Sequence, residues 1–383
     1  MSRIKTIFAV TAVSIIAMAG LSACGGEGTD QSQSSTSTGV PATPANKPDR
    51  LVIRIWSGDQ EKVYADTAAK KFTDETGIPI VWDTTDEAVS YAKLNQEISS
   101  GQRPSADASF NAQQRAFTNA ARGWTIPINP ELAPNMTKVT AETAAPPDSG
   151  DGAWDYVNPY TLTVPFIVRT DKVDPATVRT WDDLFSPQLA QSLAVDTIYS
   201  STAFGFAQTL GIDPAENPPA GMDPVWSRIS QIRPNLAQLG SNADVVTALT
   251  NGSVKIAVSN TGSGIQAINA GAPIALVAPS DGLYVVGDSY YVHKGIPDEN
   301  AYYAQVFANY LLDPEVQSVV ADKLGLIPVN PGASVPAYMS DNVAVFPRSA
   351  DDLAAVKAIV APIALMAKND EAWQKAFDAA IGR

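Results

Sequence analysis

The sequence predicts an α/β protein of two lobes. Apolar, β-branched segments alternate with helix-like segments along almost the whole chain, which is typical of a mainly parallel sheet covered by helices on both faces. The alternation restarts after 133–152, a stretch rich in Pro, Thr and Ala, and the folded part exceeds what one hydrophobic core comfortably serves. Because no internal repeat or second linker separates the halves, we expect the chain to cross between the lobes more than once.

The first half contains three strand–helix units. In the first helix, Tyr64, Ala68 and Phe72 are spaced four residues apart and share one face, and Gly77 stands where a left-handed residue would end the helix. The predicted strands are 51–56, 78–82 and 106–110, and the predicted helices are 59–76, 87–100 and 113–122.

The second half continues the alternation with shorter segments. Ser200, Ser201 and Thr202 precede a helical pattern, in keeping with the preference of hydroxyl side chains for helix N-termini. In sheets of this kind, ligands bind in crevices outside the carboxyl ends of the strands. The predicted strands are 164–169, 192–195, 255–258, 274–277 and 289–292, and the predicted helices are 181–184, 200–210, 224–232, 243–250, 263–270, 299–312 and 314–324.

The N-terminal segment predicts export and a lipid anchor. A basic start and a short apolar run over 7–20 are followed by Leu-Ser-Ala-Cys, which resembles a bacterial lipobox. The alternative is an ordinary signal cleaved near Ala23. We predict a lipoprotein signal peptide at 1–23, an acylated Cys24 that ties the protein to a membrane surface, and a disordered tether over 24–50, which has almost nothing to bury.

The composition favours some partners over others. The net charge is −14, and loss of the two positive charges of Arg3 and Lys5 with the signal peptide makes it −16. Such an acidic chain argues against nucleic acid as a partner and mildly favours cationic or neutral solutes. Because Cys24 is the only cysteine, the fold has no internal disulfide and is held by packing alone.

No motif for catalysis or metal binding is recognisable in the sequence. His293, the only histidine, is interpreted as a surface or loop residue, and Gly262-Ser263-Gly264 lacks the spacing of a nucleophile elbow. The chain has no HExxH, no P-loop, no dinucleotide-binding glycine turn and no cysteine pair. We predict no enzymatic activity, no cofactor and no metal. A lipoprotein hydrolase or transferase of unrecognised type is the remote alternative.

Four segments resemble landmarks of bacterial extracellular solute-binding proteins. They are FTDETGI at 72–78, TWDDLF at 180–185, NYLLDPEV at 309–316 and GLIPVNP at 325–331. Their order and spacing are most similar to the spermidine/putrescine-binding branch, and the resemblance covers about 51–383. It implies a type II periplasmic-binding-protein fold that closes on one small-molecule solute. It also implies delivery of the solute to the permease subunits of an ABC importer, outside the cytoplasm and at the cell membrane. We expect a monomer.

The same resemblance implies discontinuous lobes joined by a crossing hinge. We assign 51–162 plus 288–332 to lobe I and 163–287 plus 333–383 to lobe II. We expect the lobes to rotate toward each other by bending near 160–165 and 282–288, because closure is the usual way in which such folds exclude water.

Trp56 and Asp288 match binding positions of the polyamine-binding relatives. Those relatives carry an aromatic residue at the end of the first strand and a carboxylate that grips an amine. An aromatic face attracts a desolvated ammonium by up to about 2 kcal/mol, and a charged hydrogen bond contributes roughly 1.5–3 kcal/mol. The alternatives are core packing for Trp56 and a cap or turn role for Asp288.

Other positions depart from the polyamine-binding pattern. Ala112 and Gln114 replace a serine and a tyrosine, hydroxyl residues at 200–202 replace acidic residues, and Asn260 and Leu326 replace aromatic residues. The hydroxyls at 200–202 and in Thr261-Gly262-Ser263 instead stand at predicted helix N-termini, which favour oxygen-rich or anionic groups. Simple helix capping is the alternative for them.

These positions predict an amine-bearing solute, putrescine before spermidine. A zwitterionic or anionic solute such as an aminophosphonate is the alternative. Iron is disfavoured, because the adjacent tyrosine pairs at 290–291 and 302–303 do not lie in the segment near Asn260 where ferric-binding relatives place theirs. The predicted ligand-binding residues are Trp56, Ser57, Asp59, Gln114, Ser201, Thr202, Asn260, Ser263, Tyr284 and Asp288.

Overall fold

The computed structural model describes residues 41–140, 152–213 and 219–382. The predicted signal peptide and Cys24 lie outside these residues. The last ten residues of the predicted tether, 41–50, contact the folded body: Lys47 Nζ donates to the Thr76 carbonyl at 2.6 Å, and Asn300 Nδ2 donates to the Arg50 carbonyl at 3.2 Å. The described chain therefore packs against the fold from before the first strand.

The strands form two mixed sheets. They are β1 (Leu51–Arg54), β2 (Ile80–Asp83), β3 (Ala108–Ala112), β4 (Thr125–Ile126), β5 (Val157–Val164), β6 (Phe166–Arg169), β7 (Leu193–Asp196), β8 (Leu236–Gly240), β9 (Ile256–Val258), β10 (Ile274–Val277), β11 (Tyr284–His293), β12 (Ile327–Pro328) and β13 (Ile359–Val360). The first sheet has the order β12-β5-β11-β3-β1-β2, with β4 and β13 also paired to β11; the second has the order β10-β6-β9-β7-β8. Strands β1, β2 and β3 pair in parallel, as do β7, β8 and β9, whereas β11 runs antiparallel between β3 and β5.

Helices cover the sheets. They are α1 (Asp59–Tyr64), α2 (Lys70–Thr76), α3 (Glu87–Ser99), α4 (Gln113–Ala121), α5 (Ser200–Thr209), α6 (Asp223–Ser230), α7 (Asn242–Asn251), α8 (Thr261–Asn269), α9 (Asp298–Leu311), α10 (Pro314–Leu324), α11 (Ala337–Ser340), α12 (Ala350–Ala355) and α13 (Ile363–Ile381). A π-helical turn, Ala65–Ala69, joins α1 to α2, and Gly77 ends α2 with a φ of 75°, in the left-handed conformation expected for it. Within the described ranges, no helix has both the length and the apolar character needed to cross a bilayer.

The chain changes sheet at Pro165. A single strand was predicted over 164–169, but β5 ends at Val164 in the first sheet and β6 begins at Phe166 in the second. Proline has no N–H to donate to a sheet and has a fixed φ, so it separates the two strands. The chain returns to the first sheet between β10 and β11.

Each sheet has its own apolar core. The first core gathers Phe72, Phe110 and Phe307 around β1, β3 and β11. The second is built around Trp181, which packs so closely on α5 that a Cβ at Gly205 would lie 2.0 Å from its ring. The C-terminal helix α13 belongs to the second core through buried side chains and also packs against α4, which follows β3 of the first sheet. It therefore spans the two halves of the fold.

Candidate functional site

The carboxyl ends of β1 and β3 meet the middle of β11 at one edge of the first sheet. Trp56 lies two residues beyond the end of β1, and Ala112 ends β3. Asp288 pairs with Ala112 on one side and with Tyr160 of β5 on the other. Trp56 and Asp288, which are far apart in the sequence, thus both lie at the edge where ligands bind in such sheets.

Trp56 is held from two sides and stays partly exposed. The Arg54 guanidinium lies 4.9 Å from the centroid of the indole ring, and the indole Nε1 of Trp56 donates to Glu87 Oε2 at 3.1 Å. Arg54 is itself buried and donates from Nη1 to the Phe110 carbonyl at 2.7 Å. The indole packs on the first core without being enclosed by it, so its orientation is fixed while part of its surface stays open.

Glu87 is a site residue that the sequence reasoning missed. It begins α3, and its Oε1 accepts from the Ala112 backbone N–H at 3.0 Å and lies 3.3 Å from Arg115 Nη1. Its Oε2 accepts from Trp56. The capping of α3 is done by Asp86, which accepts from two backbone N–H groups. Because Asp86 already caps α3, the second acidic residue directly after it was the feature of the sequence that could have pointed to Glu87.

Asp288 is a largely buried carboxylate whose negative charge is only partly compensated by neighbouring groups. Tyr160 Oη donates to its Oδ2 at 2.9 Å, and Gln60 Nε2 donates to the same hydroxyl at 2.7 Å. Burial, together with the nearby Glu87 carboxylate, raises the pKa of Asp288 to about 7, and Tyr160 and Arg54 only partly oppose this rise. A cation bound beside Asp288 would stabilise its charged form.

Tyr284 is buried rather than exposed in the cleft. Its hydroxyl lies 3.7 Å from Met366 Sδ. Burial raises its pKa, and the carboxylates of Asp288, Asp196 and Asp370 act on it in the same direction. Tyr284 is therefore influenced by carboxylates from three different elements, β11, β7 and α13.

The N-terminus of α5 already has a carboxylate from the protein itself. Asp196, at the end of β7, accepts from the Ile198 N–H and from Ser201 Oγ, both at 3.0 Å. Burial raises the pKa of Asp196 to about 6. Ser201 and Thr202 are buried, and the Thr202 hydroxyl has no hydrogen-bond partner among the described residues. This carboxylate would repel an anionic group at the same helix end; the predicted roles of Ser201 and Thr202 stay predictions.

Asn260 and Ser263 act as cap residues in this structure. The Asn260 side chain accepts from the Ser263 N–H at 3.1 Å at the start of α8. The Ser263 hydroxyl lies 3.1 Å from Ser259 Oγ and is buried. These contacts match the capping alternative, and ligand contact by the two residues stays a prediction.

The remaining predicted residues lie at the rim. Ser57 and Asp59 are exposed, and Gly58 between them has a φ of 99°, a conformation that makes the sharp turn after Trp56. Gln114, on α4, donates from Nε2 to Asp370 Oδ1 at 3.4 Å. Here α4 and α13 line a groove of about 640 Å³.

His293 differs from the sequence interpretation. It is buried at the end of β11, with Nε2 2.8 Å from Ser109 Oγ. Burial lowers its pKa to about 3, so the ring is neutral. Across 41–140, 152–213 and 219–382, no cluster of His, Cys, Asp and Glu is arranged to hold a metal ion.

Comparisons with known proteins agree with this architecture. The model of the family of bacterial extracellular solute-binding proteins matches residues 67–347, well over half of the chain. The spermidine/putrescine-binding periplasmic protein of Salmonella typhimurium is 24% identical over 294 residues, which cover 75% of this chain and 79% of the relative. Its counterpart in Escherichia coli is 26% identical over 263 residues, covering 67% of this chain and 72% of the relative.

A solved structure shows the fold directly. The structure described as the Atu4243–GABA receptor has a TM-score of 0.71 at 15% identity and covers 87% of this chain and 97% of that chain. The two-lobed type II periplasmic-binding-protein fold predicted from the sequence is confirmed. The protein binds its solute without transforming it, and the chain belongs to the bacterial extracellular solute-binding proteins.

Proposed function

We propose that this protein captures a small amine-bearing solute between its lobes and delivers it to an ABC importer. The main support is Asp288, a largely buried carboxylate at the carboxyl edge of the first sheet whose charge is not fully compensated. An ammonium group placed there offsets that cost, and the partly open face of Trp56 adds attraction for a cation or an alkyl chain. The relatives in Salmonella typhimurium and Escherichia coli, which are spermidine/putrescine-binding proteins, support the same solute class.

The charges around the site favour a cation over an anion. Together with burial, the Glu87 carboxylate raises the pKa values of Asp288 and Asp370. The Asp370 carboxylate raises the pKa of Tyr284, which lies on the same strand as Asp288. Arg54 is buried, and its Nη1 is already bonded to the Phe110 carbonyl. Putrescine comes before spermidine because Glu87 is already paired with Arg115, so that fewer free carboxylates remain for a third ammonium group.

A zwitterion is the second candidate. Arg115 lines the groove between α4 and α13 and stands beside Glu87, so a solute with both an amine and an acid group finds a partner for each. The fold neighbour whose name gives GABA as its ligand is consistent with this solute type.

Thermal melting and calorimetric titration test the proposal. We expect putrescine to raise the melting temperature and to bind with a measurable affinity, whereas 1,4-butanediol, which has the same chain without charges, has no effect. A zwitterion such as 4-aminobutyrate or 2-aminoethylphosphonate is measured alongside. If neither diamines, spermidine nor zwitterions shift the melting temperature, the amine site is refuted.

We propose further that the mature protein is anchored through an acylated Cys24. The support is the Leu-Ser-Ala-Cys segment and the absence of any second cysteine in the sequence. C24S should move folded protein from the membrane fraction to the soluble fraction without changing solute affinity. A C24S protein that still sediments with membranes after a salt wash contradicts the anchor.

The lobe assignment also stays a proposal, with lobe I at 51–162 plus 288–332 and lobe II at 163–287 plus 333–383. The change of sheet at Pro165 supports the first of these boundaries. The position of β11 in the first sheet supports the return of the chain to lobe I, although β11 already begins at Tyr284 and the short β13, within the proposed lobe II, also pairs with it.

A further inference from the structure

Three helices begin at the carboxyl edge of the second sheet. Strands β9, β7 and β8 lie side by side and run in parallel, and they are followed by α8, α5 and α7 respectively. Val195 pairs with Val258 and Asp196 with Gly240, so the three strands end at nearly the same level. The positive ends of three helix dipoles therefore lie at this edge, which favours a negative charge there.

Asp196 supplies such a charge from the protein itself. It ends β7 and is only 1% exposed. One carboxylate oxygen accepts from the Ile198 backbone N–H and the other from Ser201 Oγ, both at 3.0 Å. Burial raises the pKa of Asp196 to about 6, although the hydroxyls of Ser201 and Ser259 act in the opposite direction. N–H and O–H donors thus hold this carboxylate in the way that they hold an anion at a helix N-terminus.

Hydrogen bonds between side chains link the first turns of the neighbouring helices to the same place. Ser259 directly follows β9, and its hydroxyl donates to Asn242 Oδ1 at 3.2 Å. The Ser259 oxygen also lies 3.1 Å from Ser263 Oγ. Asn242 begins α7, and Ser263 belongs to the first turn of α8. All three helices therefore contribute polar groups around Asp196 and Ser259.

Two more hydroxyls at this edge are not used by the protein's own hydrogen bonds. Thr202 lies in the first turn of α5, Thr261 begins α8, and both are fully buried. Within the described ranges, neither hydroxyl has a hydrogen-bond partner. A buried polar group left unpaired destabilises a fold, and most native structures avoid it. The edge thus has more donors than the Asp196 carboxylate uses.

These helix ends lie where the two halves of the fold meet. The ring of Phe204, on α5, packs on Tyr284 of β11 with centroids 5.2 Å apart, and Asp288 stands four residues later on the same strand. At the start of α8, a Cβ on Gly262 would lie 3.3 Å from the carbonyl oxygen of Leu324, a residue of the first core. A solute bound between the halves is therefore exposed to the charge at this edge.

We propose that the Asp196 carboxylate occupies the anion-binding position of the second sheet, and that it thereby excludes solutes with an anionic group at this end of the cleft. The inference rests on the proposed function and narrows its solute class to amines whose other end is neutral or cationic. It makes Asp196 a specificity-determining residue, a role that the sequence pattern did not indicate.

The test compares 1-aminobutane with 4-aminobutyrate, in which a carboxylate replaces the terminal methyl group. Titration calorimetry measures both amines on the wild type, D196N and D351N. D351N is the matched control, because it removes the same charge from an exposed position in the first turn of α12. We expect the wild type and D351N to bind 1-aminobutane at least about tenfold more tightly than 4-aminobutyrate. D196N should lower this ratio about tenfold and leave the affinity for 1-aminobutane unchanged.

D196A gives an independent readout that needs no solute. This variant removes the carboxyl group and leaves its N–H and O–H donors unpaired, and formate restores a carboxylate of the same kind. Urea unfolding is measured in sodium formate and in sodium chloride at equal ionic strength. Formate should raise the unfolding midpoint of D196A and should leave the midpoints of the wild type and D351N unchanged.

The outcomes separate this inference from the proposed function. If the wild type binds 4-aminobutyrate as tightly as 1-aminobutane, the exclusion is refuted and the amine site stands. If D196N keeps the wild-type ratio, or weakens both amines equally, Asp196 has only a structural role and the inference is again refuted. If the wild type binds neither amine, the proposed function is refuted. A D196A midpoint that formate does not raise refutes the anion-binding position, whatever the amines do.

Discussion

Replacing Asp288 by Asn should stabilise the empty protein at alkaline pH while weakening its hold on amines. The folded protein raises the pKa of this carboxylate from 3.8 to about 7. Between these values the folded state binds more protons than the unfolded state, so stability falls as the pH rises through that window. Above pH 7 the full cost of the buried charge is present. Three pKa units at about 1.4 kcal/mol each set an upper bound of roughly 4 kcal/mol.

We expect D288N to increase the free energy of unfolding by about half of that upper bound, roughly 2 kcal/mol, since water entry and relaxation reduce the cost of a buried charge. An Asn oxygen can still accept from Tyr160 Oη, which now donates to Asp288 at 2.9 Å. Urea unfolding without ligand, at pH 8 and at pH 4, measures the gain. The gain should be present at pH 8 and small at pH 4, which is close to the unfolded-state pKa of 3.8 and well below the folded-state pKa of about 7.

Titration with putrescine at pH 8 completes this prediction. D288N should lose at least tenfold in affinity, because a charged contact becomes a neutral one. D66N is the matched control, since Asp66 is exposed on the π-helical turn between α1 and α2; it should change neither quantity appreciably. A D288N protein that is less stable at pH 8 than the wild type would show that the carboxylate has a structural role, and the reasoning would fail.

Four further outcomes follow from the same structure. W56A should lose about 2 kcal/mol of putrescine binding with a modest change in the unliganded melting point; loss of 3 kcal/mol or more of folding stability would instead identify a core residue. Putrescine affinity of the wild type should fall as the pH drops below 7 and Asp288 gains a proton; an affinity unchanged at pH 5.5 contradicts this. Bending near 160–165 and 282–288 should reduce the radius of gyration on saturation with ligand, and identical scattering curves would exclude closure. Because the pKa of His293 is lowered from 6.5 to about 3, its contribution to stability is lost as the pH falls below 6.5, by up to about 1.4 kcal/mol per unit; urea unfolding of H293Q should lack this slope.

Regular local patterns in the sequence were sufficient to locate the candidate binding edge of the first sheet, at the carboxyl ends of β1 and β3. The apolar β1, the turn at Gly58 and the ends of β1 and β3 follow from residue type and period. Parallel strands bring their carboxyl ends together, so Trp56 could be placed at the candidate ligand-binding edge without long-range information. The position of Asp288 relied on the family resemblance, because β11 runs antiparallel to β3 and extends well beyond the strand predicted at 289–292.

Elements with long-range partners were harder to predict. Strand β5 was missed because it carries polar residues, although every one of its residues is buried. Asn158 accepts from Ser289 Oγ at 2.6 Å, and Thr163 Oγ1 donates to the Val345 carbonyl at 2.7 Å, contacts that no local pattern reveals. Helix α13 was also not predicted, and with it Asp370.

The position of β11 has a consequence for how the protein is made. This strand lies between β3 and β5, and it pairs Tyr290 with Phe110 across 180 residues of chain. The centre of the first sheet cannot form until about three quarters of the polypeptide has been synthesised, and contacts of such long range also form slowly. An extracellular protein has to leave the cell, and export machinery that accepts unfolded chains needs a precursor that does not fold early. A central strand that is made late is compatible with such export, because the first sheet stays incomplete while most of the chain is being synthesised.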